Sequence, residues 1–326
     1  MPIPLLIDTD PGIDDGLALL LAFASPEASV EAITTVAGNV PVERCTENVL
    51  RILKEAKPPR LPSLAQGAPR PLARPLVSAG HVHGEDGLGD LAQFQNTDGS
   101  PRYPPVGARD LSRRAPDLIL ETAIRFPDEL VVVALGPLTN LAVALDLDRN
   151  RMTAVRRVVI MGGAVASPGN VTPVAEFNFH VDPEAAARVL ESGVSIELVP
   201  LDVTRRVVLS RAALDSRLSG CPGRFAQFIS DFTLKGFAFG TEAGEGGLTL
   251  HDPLALAVAL DPSLVAFESF HVAVECAGSL TRGMAVADRR PLPAQRKPPP
   301  NCRVAVRVDA ERFLSRFLDR LCRASS

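Results

Sequence analysis

The sequence lacks the features that define several large classes of protein. None of its apolar runs approaches the ~20 residues that a membrane-spanning helix needs. The formal net charge is −4 and no long block carries one sign, so there is no electrostatic basis for binding nucleic acid. The N-terminus has neither the basic region nor the apolar region of a signal peptide. We therefore expect no membrane partner and no nucleic-acid partner.

Cysteine is also sparse and scattered. The five cysteines include no Cys-x-x-Cys pair, which argues against a zinc site and against a disulfide framework. The 326 residues are enough to bury a substantial core, and no linker or internal repeat divides them. These properties predict a reduced, cytoplasmic protein that forms a single domain over residues 1–326.

Acidic residues are concentrated near the start of the chain. Four of the eight residues from Asp8 to Asp15 are aspartates, and Pro11-Gly12 forces a tight turn between them. An apolar run at 3–7 precedes them as a buried strand, and residues 16–22 follow as a helix. The acids therefore lie at the carboxyl end of a strand, where open α/β sheets bind ligands.

A bound cation explains this cluster better than helix capping alone. One or two aspartates before a helix are common caps. Four carboxylates this close repel one another, however, and their packing destabilises the fold unless a cation neutralises them. Ligation by oxygen atoms alone favours Ca²⁺ or Mg²⁺ over zinc.

Strand-like and helix-like segments alternate over the first 200 residues. This alternation predicts an α/β fold with an open, mostly parallel sheet flanked by helices, that is, a Rossmann-like core. Residues 58–75 are rich in proline and predict no regular structure. Residues 211–239 predict a helical C-terminal part. The strand-like runs at 265–276, 283–287 and 302–308 follow one another without helices and predict antiparallel strands at the sheet edge.

Polar residues recur after the predicted strands. Asn39 follows the second strand, and a short segment after Met161 contains Asn170, Glu176 and Asn178. The pair His251-Asp252 precedes a later helix. Carboxylates, amides and a hard cation at one rim suit a polyhydroxyl ligand such as a sugar, because they bind its hydroxyl groups.

A series of motifs resembles the inosine–uridine-preferring nucleoside hydrolase family. The first is Asp8-Thr9-Asp10-Pro11-Gly12-Ile13-Asp14-Asp15. The others, in the order of the family, are Val36-Ala37-Gly38-Asn39, His83-Gly84-Glu85-Asp86-Gly87-Leu88-Gly89, Gly136-Pro137-Leu138-Thr139-Asn140, Met161-Gly162-Gly163, Glu176-Phe177-Asn178, His251-Asp252-Pro253 and Thr281-Arg282-Gly283-Met284. The match runs from residue 3 to near the C-terminus, and the series together is highly specific.

The resemblance implies a Ca²⁺ site and a ribose site. The implied Ca²⁺ ligands are the carboxylates of Asp10, Asp15 and Asp252 and the backbone carbonyl of Leu135. The implied ribose contacts are Asp14, Asn39 and Asn178 at the 2′- and 3′-hydroxyls, Asn170 and Glu176 at the 5′-hydroxyl, and Met161 beneath the ring. His81 and His83 are expected to shape or cap the site.

The implied reaction is hydrolysis of the N-glycosidic bond of a ribonucleoside, which passes through an oxocarbenium-like state. Ca²⁺ acidifies water only weakly compared with zinc, so a general base is needed, and Asp10 fits that role. The metal should keep Asp10 ionised. His251 is the candidate general acid for the departing base, because its reference pKa of about 6.5 suits proton transfer near neutral pH.

The sparse aromatic residues bear on which nucleobase the site prefers. The chain has no tryptophan, and its single tyrosine is Tyr103. The stacking residues of purine-specific relatives are therefore absent, and His251 favours a pyrimidine or inosine–uridine preference. The mobile helix expected over 224–244 offers phenylalanines but no tyrosine. Members of the family are commonly homodimers or homotetramers, and no feature of the sequence decides the oligomeric state.

Two alternatives are weighed against this function. A phosphatase of the haloacid dehalogenase type also places Asp-x-Asp after its first strand. That site needs Thr or Val two positions beyond the second aspartate, where this chain has Gly12. A non-catalytic nucleoside- or ribose-binding protein could use the same metal pocket, but it would lack the acid–base pair that Asp10 and His251 provide.

Overall fold

The central feature of the computed structural model is an eight-stranded sheet. The structure describes residues 1–106, 111–221, 223–291, 293 and 296–321. The strands are β1 (Ile3–Thr9), β2 (Ala28–Thr35), β3 (Ser63–Gln66), β4 (Val131–Ala134), β5 (Arg157–Met161), β6 (Ile196–Val199), β7 (Val208–Leu209), β8 (Leu248–Thr249), β9 (Val265–Phe270), β10 (Val272–Val274), β11 (Ala285–Ala287) and β12 (Cys302–Val308). The order in the main sheet is β3-β2-β1-β4-β5-β6-β12-β9, and only the β12–β9 pair is antiparallel. The pairs β10–β11 and β7–β8 form two small antiparallel sheets.

Helices connect the strands and cover both faces of the sheet. They are α1 (Ile13–Phe23), α2 (Val42–Ala56), α3 (Gly80–His83), α4 (Ala115–Arg125), α5 (Thr139–Leu147), α6 (Arg149–Thr153), α7 (Phe177–Val181), α8 (Pro183–Leu190), α9 (Leu201–Thr204), α10 (Arg211–Leu218), α11 (Gly223–Glu242), α12 (His251–Leu260) and α13 (Ala310–Leu321). Short 3₁₀ turns lie at Leu91–Gln93 and Pro262–Leu264. The predicted α/β fold with a mostly parallel sheet is confirmed.

The two faces of the sheet bury separate hydrophobic cores. Successive side chains of a strand point to opposite faces. In β1, Leu5 and Ile7 therefore join the core beneath α1, α11 and α12, while Leu6 joins the core beneath α4, α5 and α8. The run Val131–Ala134 alternates in the same way. This two-sided burial explains why the central strands are almost continuously apolar.

The connectivity creates a crevice next to the first strand. From β1 the chain proceeds outward to β2 and β3 on one side, and then returns to β4, β5 and β6 on the other. Connections from β1 and β4 thus leave in opposite directions, which is the topological switch point where open α/β sheets bind ligands. The acidic motif at 8–15 follows β1 and so lies at this position.

Several local predictions differ from the structure. The proline-rich segment 58–75 contains β3, which pairs in parallel with β2 as an edge strand. The run 265–276 is split into β9, in the main sheet, and β10, which pairs with β11. The last strand, β12, pairs in parallel with β6 and antiparallel only with β9, so it is not purely an antiparallel addition.

The cysteines and the helices bear on two further expectations. Among the described cysteines, Cys45, Cys276 and Cys302 are free thiols, whereas Cys221 is disulfide-bonded. The sequence did not indicate that disulfide.

No helix in the described ranges is long and apolar enough to cross a membrane. The cytoplasmic location and the single domain stay predictions.

Candidate active site

A pocket of about 360 Å³ opens at the carboxyl edge of the sheet, at the switch point. It brings together most of the residues that the sequence predicted for the site. The predicted residues that line it are Asp14, Asn39, Leu135, Met161, Asn170, Glu176, Asn178, His251 and Asp252. Asp10 and Asp15 lie one contact deeper, where both accept hydrogen bonds from Asn39.

Three carboxylates meet at the floor of this pocket. Asp14, Asp15 and Asp252 each place one carboxylate oxygen within 4.8 Å of the others, and all three side chains are buried. Burial, together with the nearby charge of Asp15, raises the pKa of Asp14 to about 7. Burial and the charge of Asp14 raise the pKa of Asp252 well above its usual range. The bare cluster therefore favours protons or a cation, because like charges at this spacing repel.

The local fold of the acidic motif fixes two of these carboxylates. Helix α1 starts at Ile13, three residues before the predicted start, so Asp14 and Asp15 lie in its first turn. The Asp15 carboxylate accepts a hydrogen bond from the Gly12 amide at 2.9 Å and another from the Thr9 hydroxyl. These bonds close the turn between strand and helix and leave Asp14 facing the pocket.

Asp10 lies beside this trio in a tightly enclosed position. Its Oδ2 accepts a hydrogen bond from the Asn39 amide at 2.7 Å, and its buried Oδ1 has no hydrogen-bond partner among the described residues. Burial and the charge of Asp15 raise its pKa well above the usual range. A Cβ on Gly38 would lie 2.0 Å from Oδ2, so only glycine leaves room for this carboxylate. An unpaired oxygen this deep is expected to have a ligand.

Helix α7 presents two further predicted residues. Glu176 caps the helix, and its carboxylate accepts hydrogen bonds from the backbone amides of Asn178 at 2.9 Å and Gly163 at 2.8 Å. The Asn178 side-chain amide donates to the carbonyl of Leu135 at 2.7 Å and to that of Met161 at 3.1 Å. These bonds tie α7 to the ends of β4 and β5.

Three histidines line the pocket, namely His81, His83 and His251. His251 begins α12, and its Nδ1 is 2.8 Å from the Thr204 hydroxyl. Burial, with a smaller effect of Arg205, lowers the pKa of His251 to about 4. The Nδ1 of His83 accepts a hydrogen bond from the Ile13 amide at 3.0 Å, and burial lowers its pKa to about 3. With these lowered pKa values, the rings of His83 and His251 are neutral imidazoles at pH 7.

The outer wall of the pocket is partly aromatic. Phe177 and Phe239 line it, together with Arg205 and Glu245. Of the phenylalanines expected over 224–244, only Phe239 lines the pocket within the described residues. The others that are buried, Phe225, Phe228, Phe232 and Phe237, pack in the core. Arg205 donates to the carbonyls of Pro168 and Gly169 and so holds the loop that carries Asn170.

Sequence reasoning did not assign a specific contact to several residues of the site. Examples are His83 and Arg205, which line the pocket, and Thr204, which contacts His251. The signal for His83 was present in the motif that begins with it, but its amide partner at Ile13 is 70 residues away. The signal for Thr204 and Arg205 was absent, because nothing in residues 201–206 distinguishes a site from a short polar turn.

Comparison with known proteins agrees with this geometry. The family described as inosine-uridine preferring nucleoside hydrolase matches residues 5–315. The chain is 38% identical over 323 residues to the pyrimidine-specific ribonucleoside hydrolase RihA of Salmonella gallinarum, covering 98% of this chain and 99% of that protein.

Solved structures give the same result. A plant nucleoside hydrolase, PpNRh1, has a TM-score of 0.88 and 34% identity, with 99% of each chain covered. A purine-preferring ribonucleoside hydrolase from Gardnerella vaginalis has a TM-score of 0.87 and 32% identity, again over 99% of each chain. Because the match spans nearly the whole chain and includes every motif region described above, the protein belongs to the inosine-uridine preferring nucleoside hydrolase family, whose members hydrolyse the N-glycosidic bonds of nucleosides.

Proposed function

We propose that the protein is a Ca²⁺-dependent ribonucleoside hydrolase in which Asp10 is the general base and His251 the general acid. The observation that carries the proposal is the placement of Asp14, Asp15 and Asp252 in one pocket with His251. This arrangement places a cluster of buried acids and the imidazole of His251 around one pocket of about 360 Å³, which is within the usual size range of small-molecule sites. The phosphatase alternative gives the additional acids no role, and a binding protein would not need His251.

The donor set fits a hard cation. Asp10, Asp15, Asp252 and the carbonyl of Leu135 would hold it, and Asp14 is close enough to share in ligation or to bind a sugar hydroxyl. All of these donors are oxygen atoms, as Ca²⁺ prefers. When bound, Ca²⁺ would neutralise the acids, bind vicinal hydroxyls and position a water. The unpaired Oδ1 of Asp10 and the raised pKa values of the cluster support this assignment.

The side chains around the sugar have separable tasks. Asp14, Asn39 and Asn178 would hold the 2′- and 3′-hydroxyls, and Asn170 and Glu176 the 5′-hydroxyl. The ionised Asp10 would remove a proton from the attacking water. The buried negative charge would favour the positive charge that develops at C1′.

Protonation of the departing base would fall to His251. In the imidazolium form, Nδ1–H would donate to the Thr204 hydroxyl, and Nε2–H would be free to give its proton to the base. The lowered pKa means that the imidazolium form is a strong acid present in small amount at neutral pH. Such an acid transfers its proton readily to a leaving group that gains basicity in the transition state.

For the base, we propose a pyrimidine or inosine–uridine preference. The 38% identity to a protein named pyrimidine-specific supports it. The absence of tryptophan supports it as well, because Phe177 and Phe239 offer a smaller aromatic surface than indole. The purine-preferring relative from Gardnerella vaginalis, at 32% identity, is the reason to test inosine beside the pyrimidines.

The test is ribose release from uridine, cytidine and inosine by the purified enzyme, before and after chelation. Chelation should abolish activity, and Ca²⁺ should restore more of it than Mg²⁺ does. Asp252→Asn should raise the Ca²⁺ concentration needed for half-maximal activity. Asp146→Asn, which changes an exposed acid outside the pocket, should leave that concentration unchanged. Full activity after exhaustive chelation would contradict the metal assignment, and inosine-only turnover would contradict the base preference.

A further inference from the structure

The segment Thr281–Met284 has no role in the proposed reaction, although it is one of the motifs that carry the family resemblance. It contacts α7, and none of its residues lines the pocket. We propose that Arg282 is a positioning residue that holds α7, and with it Glu176 and Asn178, against the sugar. The inference rests on the proposed sugar contacts of these two residues, and it adds a group that acts through His180 without touching the substrate.

The contact that carries the inference joins the segment to the last turn of α7. The Arg282 guanidinium Nη2 lies 3.0 Å from Nε2 of His180. Because arginine only donates hydrogen bonds, His180 must accept here and therefore must be neutral at Nε2. His180 is 9% exposed, so this bond is shielded from water. It fixes the ring two residues beyond Asn178.

Gly283 lets the backbone of the segment pack directly on α7. Its φ is +79°, a left-handed conformation that favours glycine. A Cβ there would lie 2.7 Å from the Cα of His180 and 3.0 Å from the carbonyl oxygen of Phe179. No side chain larger than hydrogen fits between the two backbones. The close packing of the segment on α7 therefore requires both the conformation and the small size of Gly283.

The same segment also contacts Ala175, just before the helix. Met284 forms an isolated antiparallel bridge with Ala175, next to Glu176. Helix α7 is five residues long, too short to be stable alone. The contacts at Ala175 and at His180 thus restrain both ends of a helix whose stability depends on tertiary contacts.

Displacement of α7 would move Glu176 and Asn178 within the sugar site. The Glu176 carboxylate is held by amides at 178 and 163, and the Asn178 amide by carbonyls at 135 and 161. The three bonds that join α7 to residues 135, 161 and 163 have lengths of 2.7–3.1 Å, so a shift of α7 by about 1 Å breaks them. A displacement of that size at a positioning group can lower the rate about a hundredfold.

The hairpin that carries the segment has a second, independent anchor. Arg74 donates to the Cys276 carbonyl and pairs with Glu184 on α8. Removal of Arg282 should therefore loosen α7 without releasing β10 and β11. This makes Arg282→Met a usable variant, and Arg282→Lys keeps a donor and a charge at the same place.

The experiment compares Arg282→Met and Arg282→Lys with Arg290→Met. Arg290 is an exposed arginine after β11 that pairs only with Asp288 in the described ranges. Backbone amide exchange is followed over residues 175–181, and kcat and KM are measured for uridine and 5′-deoxyuridine. We expect exchange at least about tenfold faster in Arg282→Met, partial recovery in Arg282→Lys and no change in Arg290→Met.

The kinetic result separates positioning from general loss of stability. Arg282→Met should lower kcat/KM at least about tenfold for uridine, mostly through KM, and clearly less for 5′-deoxyuridine, which lacks the hydroxyl that Glu176 would bind. Equal losses on both nucleosides, or unchanged exchange over 175–181, would overturn the inference. If the wild-type enzyme treats the two nucleosides alike, the proposed 5′-hydroxyl contact fails. The exchange result and the uridine KM then decide the role of Arg282 through Asn178.

Discussion

Replacement of His251 by alanine gives the sharpest test of the proposed chemistry. Loss of a general acid typically costs 10²–10⁴ in rate, or about 3–5 kcal/mol of transition-state stabilisation. We expect a loss in this range for uridine, whose base leaves poorly without a proton. The neighbouring His83 should not substitute, because its Nδ1 is engaged by the Ile13 amide and burial lowers its pKa to about 3.

The assay pairs uridine with p-nitrophenyl riboside. The nitrophenolate leaves without protonation, so His251→Ala should lower its turnover less than about tenfold. Thr204→Val removes one buried hydrogen bond to the ring, worth about 0.5–1.5 kcal/mol, and should therefore slow uridine cleavage roughly two- to tenfold. His271→Ala, outside the pocket, is the control for removing an imidazole. Equal losses on both substrates would refute the role of His251 as the acid.

Three further predictions concern the floor of the site, the wall of the pocket and the support of α7. Gly38→Ala places a methyl group 2.0 Å from the Asp10 carboxylate, so it should abolish ribose release and lower the melting temperature, which calorimetry would show; a fully active variant would contradict the packing. Phe239→Ala should raise KM for every nucleoside by an amount equivalent to about 1–3 kcal/mol of stacking, and an unchanged KM would place the base elsewhere. Burial, aided by Arg282, lowers the pKa of His180 in the folded state, so below pH ~6.5 the unfolded state binds a proton that the folded state resists. Stability should therefore fall as pH drops from 7 to 5, and urea titrations should show a smaller fall in His180→Gln.

The central strands and the helices that follow them could be predicted because their signal is local. In the strand Arg157–Met161, for example, the four residues after Arg157 are apolar and buried. The edge strand β3 was missed because its pairing with β2 overrides the prolines around it, and paired edges tolerate them. The division of residues 265–276 between two sheets depends on partners 32 to 43 residues away in β12 and 11 to 15 residues away in β11, which no local pattern encodes.

The site shows the same division between local and distant information. The motif at 8–15 indicated a metal pocket, because four acids in eight positions need a counter-charge. It could not indicate which carboxylates converge. Asp14, Asp15 and Asp252 have carboxylate oxygens within 4.8 Å of one another. The roles that the resemblance implies, Asp14 at the sugar and Asp10 at the metal, stay predictions. The contact between Arg282 and His180 spans 102 residues, and only the folded chain brings them together.

The place of β12 in the sheet has a consequence for biosynthesis. This strand follows both β6 and β9 in the chain, yet it lies between them in the sheet and joins them. While the ribosome is still making residues 302–308, β6 presents an open row of amide and carbonyl groups. Such an edge readily pairs with another polypeptide. A nascent or truncated chain that stops before residue 302 should thus be prone to aggregate, although it already contains every residue of the candidate site.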